Sequence, residues 1–247
     1  MRNALSVLAL LLLAAGVGAQ EVSTAIIPVV GSVDGPANIR WLTDVELSNQ
    51  TSLPLDVAIE LTATPDAPLF LFTLAPGQMQ RFTDVFGQAF GLQSGLSPLR
   101  VTTGARHSVN IRAAAYAVSP ADGSVSPMQP IIVYGENTFY PIRILDGLAF
   151  SEDSRTNLGL INFGEQDADF VLALQKVPGR DIAVSRIRVG AGSLAHMSIQ
   201  SLFPLIAEGS GFSVVVETLD RDTHVYASVI DSATNGAVFV APRIGVR

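Results

Sequence analysis

Apolar and polar residues alternate along two segments of the chain that begin 113 positions apart, at residues 55 and 168. Every second residue is apolar in Leu55–Leu61, and the same holds in Ala168–Leu174. A period of two is typical of a β-strand with one face in the core and the other in water, so both segments are predicted to be strands. The side chains expected to face inward, here and in the preceding strands, are Leu47, Val57, Ile59, Leu61, Leu160, Phe170, Leu172 and Leu174.

Identical residues recur at the same distance on both sides of these segments. A shift of 113 positions, with no gap, matches six identical pairs: Pro28/Pro141, Thr43/Thr156, Leu47/Leu160, Asn49/Asn162, Asp56/Asp169 and Leu61/Leu174. A repeat of this length is the size of a domain and is too long for one unit of a solenoid. The sequence therefore predicts two tandem copies of one domain, residues 20–133 and 134–247, related by internal duplication.

Turn residues divide each copy into short strands. Ala75–Gly77 in the first copy corresponds to Gly190–Gly192 in the second, and both segments are typical of tight turns. Between such turns, each copy holds about seven or eight short strands at regular spacing. This spacing predicts an all-β protein in which each copy is an immunoglobulin-like β-sandwich.

Residues 1–19 have the features of an export signal. A positive charge at Arg2 precedes the apolar stretch Ala4–Val17, and cleavage is expected after Ala19 because small residues stand there. The alternative, a retained membrane anchor, is disfavoured because the stretch is shorter than the ~20 residues that span a bilayer. We therefore expect a secreted, periplasmic or cell-surface protein with no stable membrane insertion once the signal is removed.

Composition narrows the chemistry of the chain. It has no Cys, which excludes disulfides and thiolate metal sites. Only 15% of the residues are charged and the net charge is −7, so a basic face for nucleic acid is not expected. Among the scattered charges, Arg40 and Arg155 stand near matching strand starts and are expected to pair with Asp44 or Asp153. Exposed pairs of this kind contribute little stability.

The chain carries none of the common linear motifs of hydrolases, metalloproteases or phosphate-binding loops. Its three His residues are far apart in the sequence. His107 and His224 are expected at solvated turns or strand edges, and His196 at an exposed polar position. We therefore predict no catalytic residue, no metal ligand and no cofactor, with an enzyme site assembled from loops as the less favoured alternative.

Three residues are candidates for ligand binding: Trp41, Asp44 and Asn157. Asp44 and Asn157 occupy matching positions, and their oxygens are of the type that Ca²⁺ prefers. The same residue types bond nearby backbone groups, so turns and strand ends are the simpler explanation for them and for the recurring Asn49 and Asn162. Trp41, the only Trp, is either a sugar-stacking platform or, more simply, an anchor in the core or at an interface.

Three sequence segments together resemble a known family. Trp41–Asn49 resembles a W-x-[ST]-D motif followed by alternating apolar residues and Asn, Arg155–Asn162 resembles R-T-N-L-G-L-x-N, and Tyr226–Asp231 resembles Y-A-S-V-x-D. As a set they are similar to an uncharacterised family of exported bacterial β-sandwich repeats, immunoglobulin-like in fold. The first copy departs from that pattern at Ile111–Ala113, where the family has a Ser-Arg-aromatic run. The resemblance implies a fold and carries no established activity.

The favoured interpretation is a non-enzymatic exported protein with a structural, adhesive or scaffolding role at the bacterial envelope or outside the cell. The alternative is a carbohydrate- or glycan-binding module, so the expected partner is a protein or a glycan. A long unpaired edge strand would favour assembly by strand addition. An exposed, coplanar pair of aromatic rings would favour the glycan-binding module.

Overall fold

The computed structural model describes residues 22–35, 38–64, 66–104, 109–135, 139–177, 179–234 and 236–245. The predicted export signal, residues 1–19, and His107 lie outside these residues. Across the described ranges, no helix combines the length and the apolar character needed to cross a membrane.

The chain is all-β, as the alternation predicts. The first nine strands are β1 (Ser23–Asp34), β2 (Arg40–Asn49), β3 (Leu55–Leu61), β4 (Phe70–Leu74), β5 (Met79–Phe82), β6 (Gly95–Thr103), β7 (Val109–Val118), β8 (Gln129–Ile131) and β9 (Tyr134–Gly135). The last nine are β10 (Ile142–Phe150), β11 (Ser154–Asn162), β12 (Ala168–Val177), β13 (Arg180–Val189), β14 (Ser193–Ser198), β15 (Gly209–Glu217), β16 (Thr223–Asp231), β17 (Ala237–Val240) and β18 (Arg243–Ile244). Two short helices, α1 (Val85–Phe90) and α2 (Ile199–Leu202), follow β5 and β14.

Hydrogen bonding groups the first nine strands separately from the last nine. We name these groups the N-terminal unit (β1–β9) and the C-terminal unit (β10–β18). The N-terminal unit contains the strand orders β4-β3-β6-β1-β9 and β5-β2-β7-β8, and the C-terminal unit contains β13-β12-β15-β10-β18 and β14-β11-β16-β17. Every pairing in these orders is antiparallel. The strand order is therefore the same in the two units, position for position.

The main difference between the units is a hairpin arm at the start of the N-terminal unit. There β1 also pairs with β2, with Ser32 opposite Leu42 and Asp34 opposite Arg40, and this joins the two sets of strands. In the described chain, β10 and β11 have no such ladder. We name residues 32–35 and 38–42 the β1–β2 arm.

The arm corrects the prediction that the repeat has no gap. Pro28 lies inside β1, at a bulge between Ile27 and Val30, whereas Pro141 precedes β10. The corresponding bulge of β10 falls between Leu145 and Leu148. The identity of Pro28 and Pro141 is therefore not a structural equivalence, because the arm adds residues between β1 and β2. The match without gaps begins only at β2.

Each unit has its own apolar core. All eight side chains predicted to face inward are buried, with at most 3% of their surface exposed. The alternation in β3 and β12 therefore assigned the correct face, as expected where one side of a sheet is covered. Helix α1 closes one core with Val85 and Phe86, and α2 closes the other with Ile199 and Leu202.

Candidate functional site

A cavity of about 460 Å³ lies between the two units. The β1–β2 arm and parts of β7 and β8 form one wall, and the sheet β14-β11-β16-β17 forms the opposite wall. Trp41 and Asn157, two of the three candidate ligand residues, line the cavity from opposite units, whereas Asp44 does not line it. The sequence does not predict that Trp41 and Asn157 line the same cavity, because this depends on how the two units pack against each other.

Trp41 stands in the β1–β2 arm and is half-buried. A Cβ atom built on Gly35 would lie 2.9 Å from the indole Nε1, so only glycine leaves room for the ring at that point. Trp41 thus packs against the backbone of its own arm and presents part of its surface to the cavity. Aromatic residues anchor packing through a large buried area, and Trp41 buries only part of its surface.

A polar and aromatic cluster forms the opposite wall. The Tyr226 hydroxyl lies 2.8 Å from Nδ1 of His196, and the Tyr226 ring stacks on Phe239 at 5.2 Å between centroids. Tyr226 is buried because Gly159, on the neighbouring strand, leaves space for it: a Cβ there would stand 1.9 Å from the ring. Phe239 also packs against the apolar core of the N-terminal unit, so the cluster bridges the units.

His196 is exposed, as predicted, but its imidazole is engaged by Tyr226. Desolvation by the surrounding protein lowers the pKa of His196, and burial raises the pKa of Tyr226. Both shifts favour the neutral form of the side chain. Among the described residues, Nε2 of His196 has no hydrogen-bond partner, which leaves one imidazole nitrogen for another group.

The arginine pairings differ from the prediction. Arg40 binds Asp34 at 3.1 Å, the hydroxyl of Ser32 at 2.7 Å and the carbonyl of Gln93, because Asp34 stands opposite Arg40 in the arm. Asp44 lies four residues further along the strand, roughly 13 Å away by strand geometry. Arg155 lines the cavity, half-buried, and forms no ion pair with any described residue.

Asp44 is a paired carboxylate within the N-terminal unit. It is buried, and its Oδ2 accepts hydrogen bonds from Nε of Arg81 at 2.8 Å and from Nη2 at 2.6 Å. This ion pair also raises the pKa of Arg81. In the part of the chain that the structure describes, no cluster of three or more His, Cys, Asp or Glu residues could hold a metal ion. Asp44 and Asn157, although at matching positions, therefore have different surroundings.

Asn49 and Asn162 have the same surroundings in the two units. The amide nitrogen of Asn49 donates to the carbonyls of Leu53, Leu74 and Ala75, and Oδ1 accepts from the next turn. Asn162 makes the corresponding contacts; its nitrogen donates to the carbonyls of Gln166, Val189 and Gly190, and Oδ1 accepts from N–H of Gly164. Both side chains thus tie a hairpin turn to the end of another strand, the backbone-bonding role that the sequence favoured.

A second contact between the units contradicts the prediction for His224, which is buried instead of solvated. Its ring stacks on Tyr134 of β9 at 4.6 Å between centroids, and Phe163 meets it edge-on. Burial, reinforced by the charge of nearby Arg143, lowers the pKa of His224 to about 4. The sequence did not predict this burial because it depends on tertiary packing: Phe163 of the same unit and Tyr134 of the other unit together cover His224.

Arg143 is the buried cation of this contact. Only 3% of it is exposed, and its guanidinium donates to the carbonyls of Tyr140 and Thr223 and to the Thr223 hydroxyl, at 2.7–2.9 Å. Burial lowers its pKa to about 10 and raises the pKa of Tyr134 to about 12. These hydrogen bonds go to Tyr140, just before β10, and to Thr223 of β16, so neutral oxygens of the C-terminal half of the chain stabilise the buried guanidinium without a carboxylate.

β13 is a long strand at the edge of its sheet. It spans ten residues, pairs with β12 on one side, and has no strand on its other side among the described residues. Its solvent face presents Ile182 and Val184, 41% and 58% exposed, followed by Arg186 and Arg188. Arg188 binds Asp169, whereas Arg186 forms no ion pair in the described chain. The edge strand at the matching position, β4, has only five residues.

Comparison with models of known protein families and with curated proteins finds no match to this chain.

Proposed function

We propose that this chain is a non-enzymatic exported protein, built of two tandem immunoglobulin-like β-sandwich domains, that holds a protein partner at the bacterial envelope or outside the cell. The equal strand order of the two units and their shared Asn contacts support an internal duplication. The pairing of β9 with β1 favours a boundary just after Gly135, close to the predicted one. The features of residues 1–19 support export.

The observation that carries the proposal is the free edge of β13. An edge strand presents a row of unpaired N–H and C=O groups, onto which an extended segment of another chain can add by main-chain hydrogen bonds. Proteins commonly shorten such edges, and β4 is short, but β13 keeps ten residues. The side chains beside the edge favour a partner segment of matching character. Such a segment would place apolar residues next to Ile182 and Val184 and an acidic residue next to Arg186.

Because the chain has no Cys, single cysteines can test this edge cleanly. Val184→Cys places one on β13, and Leu71→Cys places the matched control on β4, where Leu71 is 48% exposed. After labelling with a maleimide photo-cross-linker in the exported fraction of the producing cells, Val184→Cys should give one discrete adduct. Leu71→Cys should not give that adduct.

The charge reversal Arg186→Glu, added to Val184→Cys, should abolish the adduct while leaving thermal unfolding unchanged. Equal adducts from both cysteines, or insensitivity to Arg186→Glu, would show that β13 is not a recognition edge. An adduct of twice the mass of the chain would identify the partner as a second copy.

The glycan-binding alternative would depend on Trp41 and receives less support from the geometry. A flat sugar platform needs exposed rings lying side by side. Tyr226 is buried and stacks face to face on Phe239, at an interplanar angle of 15°. Trp41 faces them across a concave space. These rings resemble the walls of a pocket more than a platform.

A further inference from the structure

We propose that the cavity between the two units is a binding site for a small organic anion with an apolar, ring-sized body. This proposal is independent of the partner proposed for β13, since the cavity lies between the units and its lining includes no residue of that strand. Its volume of about 460 Å³ falls in the range of small-molecule sites, which run from roughly 300 to 1,000 Å³.

The walls of the cavity suit an apolar body. Trp41 lines one side and Phe239 and Tyr226 line the other, and the aliphatic side chains of Leu96 and Ile131 add apolar surface to the wall that holds Trp41. Flat aromatic surfaces and aliphatic groups favour a planar, apolar ligand because its burial removes apolar area from water.

The charge of the cavity favours an anion. Two charged side chains, Arg155 and Asp34, line it. Asp34 is compensated by Arg40 at 3.1 Å, whereas Arg155 has no counter-ion among the described residues. Half-buried and unpaired, the guanidinium of Arg155 is suited to a carboxylate or sulfonate, which it can bind with two parallel hydrogen bonds. Asn157 and the free Nε2 of His196 add further hydrogen-bonding capacity.

The cavity is also organised in advance. The Tyr226–His196 bond and the glycine at position 159 hold one wall. The other wall is the β1–β2 arm, the feature that most distinguishes the N-terminal unit from the otherwise matching C-terminal unit. The arm also carries the single tryptophan of the chain, and this residue lines the cavity. A binding site that needs a second wall would explain why, within the described chain, only the N-terminal unit has such an arm.

The test uses two fluorescent probes and Trp41. Anilinonaphthalene sulfonate is an apolar anion, and phenylnaphthylamine has the same rings without the charge. Titrated into the purified protein, the sulfonate should quench Trp41 by energy transfer and saturate at one probe per chain. Arg155→Gln should weaken sulfonate binding about tenfold, since a charge-assisted contact is lost, and change phenylnaphthylamine binding less than twofold.

Two further variants show whether the probes bind in the cavity. Arg186→Gln removes a charge from β13, outside the cavity, and should leave both titrations unchanged. Ser228→Phe, in the cavity wall, should block both probes while thermal unfolding shows that the chain is folded. Failure to quench Trp41, or equal sulfonate affinity for Arg155→Gln and the parent, would overturn the proposal.

Discussion

Asn162 stabilises its unit because one buried amide serves three carbonyls, those of Gln166, Val189 and Gly190. Asn162→Ala leaves these groups and the N–H of Gly164 without their partner. We expect the free energy of unfolding to fall by about 2–4 kcal/mol, measured by chemical denaturation. Asn110→Ala, at an exposed position on β7, is the control and should cost little. A loss below about 0.5 kcal/mol for Asn162→Ala would show that the contacts are dispensable.

His224 makes stability depend on pH in a defined window. Its pKa is about 4 in the folded chain and about 6.5 when unfolded, so the unfolded state takes up the proton first as the pH falls. Above pH 6.5 His224 is neutral in both states, so its titration does not lower the free energy of unfolding. Between pH 6.5 and pH 4 the free energy of unfolding falls progressively as the unfolded chain binds the proton. The difference between the two pKa values of His224 corresponds to a loss of about 3 kcal/mol in the free energy of unfolding.

The measurement for His224 is thermal unfolding between pH 4 and pH 7, compared with His224→Gln. The Gln variant lacks the titration and should show a flatter dependence on pH, even if loss of the stack on Tyr134 lowers its overall stability. Parallel profiles for the two proteins would contradict the buried, neutral state of His224.

Some residue roles followed from the sequence and others did not. The backbone-bonding role of Asn49 and Asn162 was predictable, because it is local and repeats in both units. The burial of His224 and the unpaired state of Arg155 were not, because each depends on the side of a strand that the other unit covers or faces. Alternation predicts which face of a strand points inward and says nothing of what covers the outer face.

At the scale of elements, the alternation in β11 makes a quantitative prediction. Leu160 is 1% exposed and packs in the core of the C-terminal unit. Leu160→Ala should lower the free energy of unfolding by about 2–5 kcal/mol, through lost burial and the cavity left behind. Leu71→Ala, the same change at a position 48% exposed on β4, should cost far less. Similar losses for both variants would show that the inward face was wrongly assigned.

The packing of β11 against β16 depends on Gly159. Gly159→Ala would place a Cβ inside the ring of Tyr226, so the ring must move and its bond to His196 must break. We expect a loss of about 1–3 kcal/mol on unfolding, typical of overpacking. At Gly190 a Cβ would have ordinary contacts, the nearest at 3.4 Å, so Gly190→Ala should change stability by less than about 0.5 kcal/mol. Equal effects at the two glycines would contradict the arrangement of Tyr226.

Strand positions were more predictable than the connections between them. Alternation predicted the positions of β3 and β12, and turn residues predicted about seven or eight short strands in each copy, because these signals are local. The β1–β2 arm was missed because the identity of Pro28 with Pro141 suggested a match without gaps, while the bulges show that β1 and β10 align differently. The identity of Pro28 with Pro141 therefore concealed the extra residues of the arm in the comparison of the two halves of the sequence.

At the scale of the whole molecule, the two surfaces proposed to bind a ligand or a partner lie where the two units differ. The arm gives the N-terminal unit a wall that the C-terminal unit lacks, and β13 gives the C-terminal unit an edge twice the length of β4. The sequence predicted two copies of one fold, but it did not predict the cavity between them, whose lining comes from distant parts of the chain.

Hydrogen exchange of the purified chain, alone and with the partner captured at position 184, tests the central claim most directly. Backbone amides of Arg180–Val189 that face away from β12 should exchange rapidly in the free protein and become protected in the complex, since strand addition occupies them. The amides of Phe70–Leu74 should be unchanged. A complex that forms without new protection in Arg180–Val189 would contradict strand addition at β13.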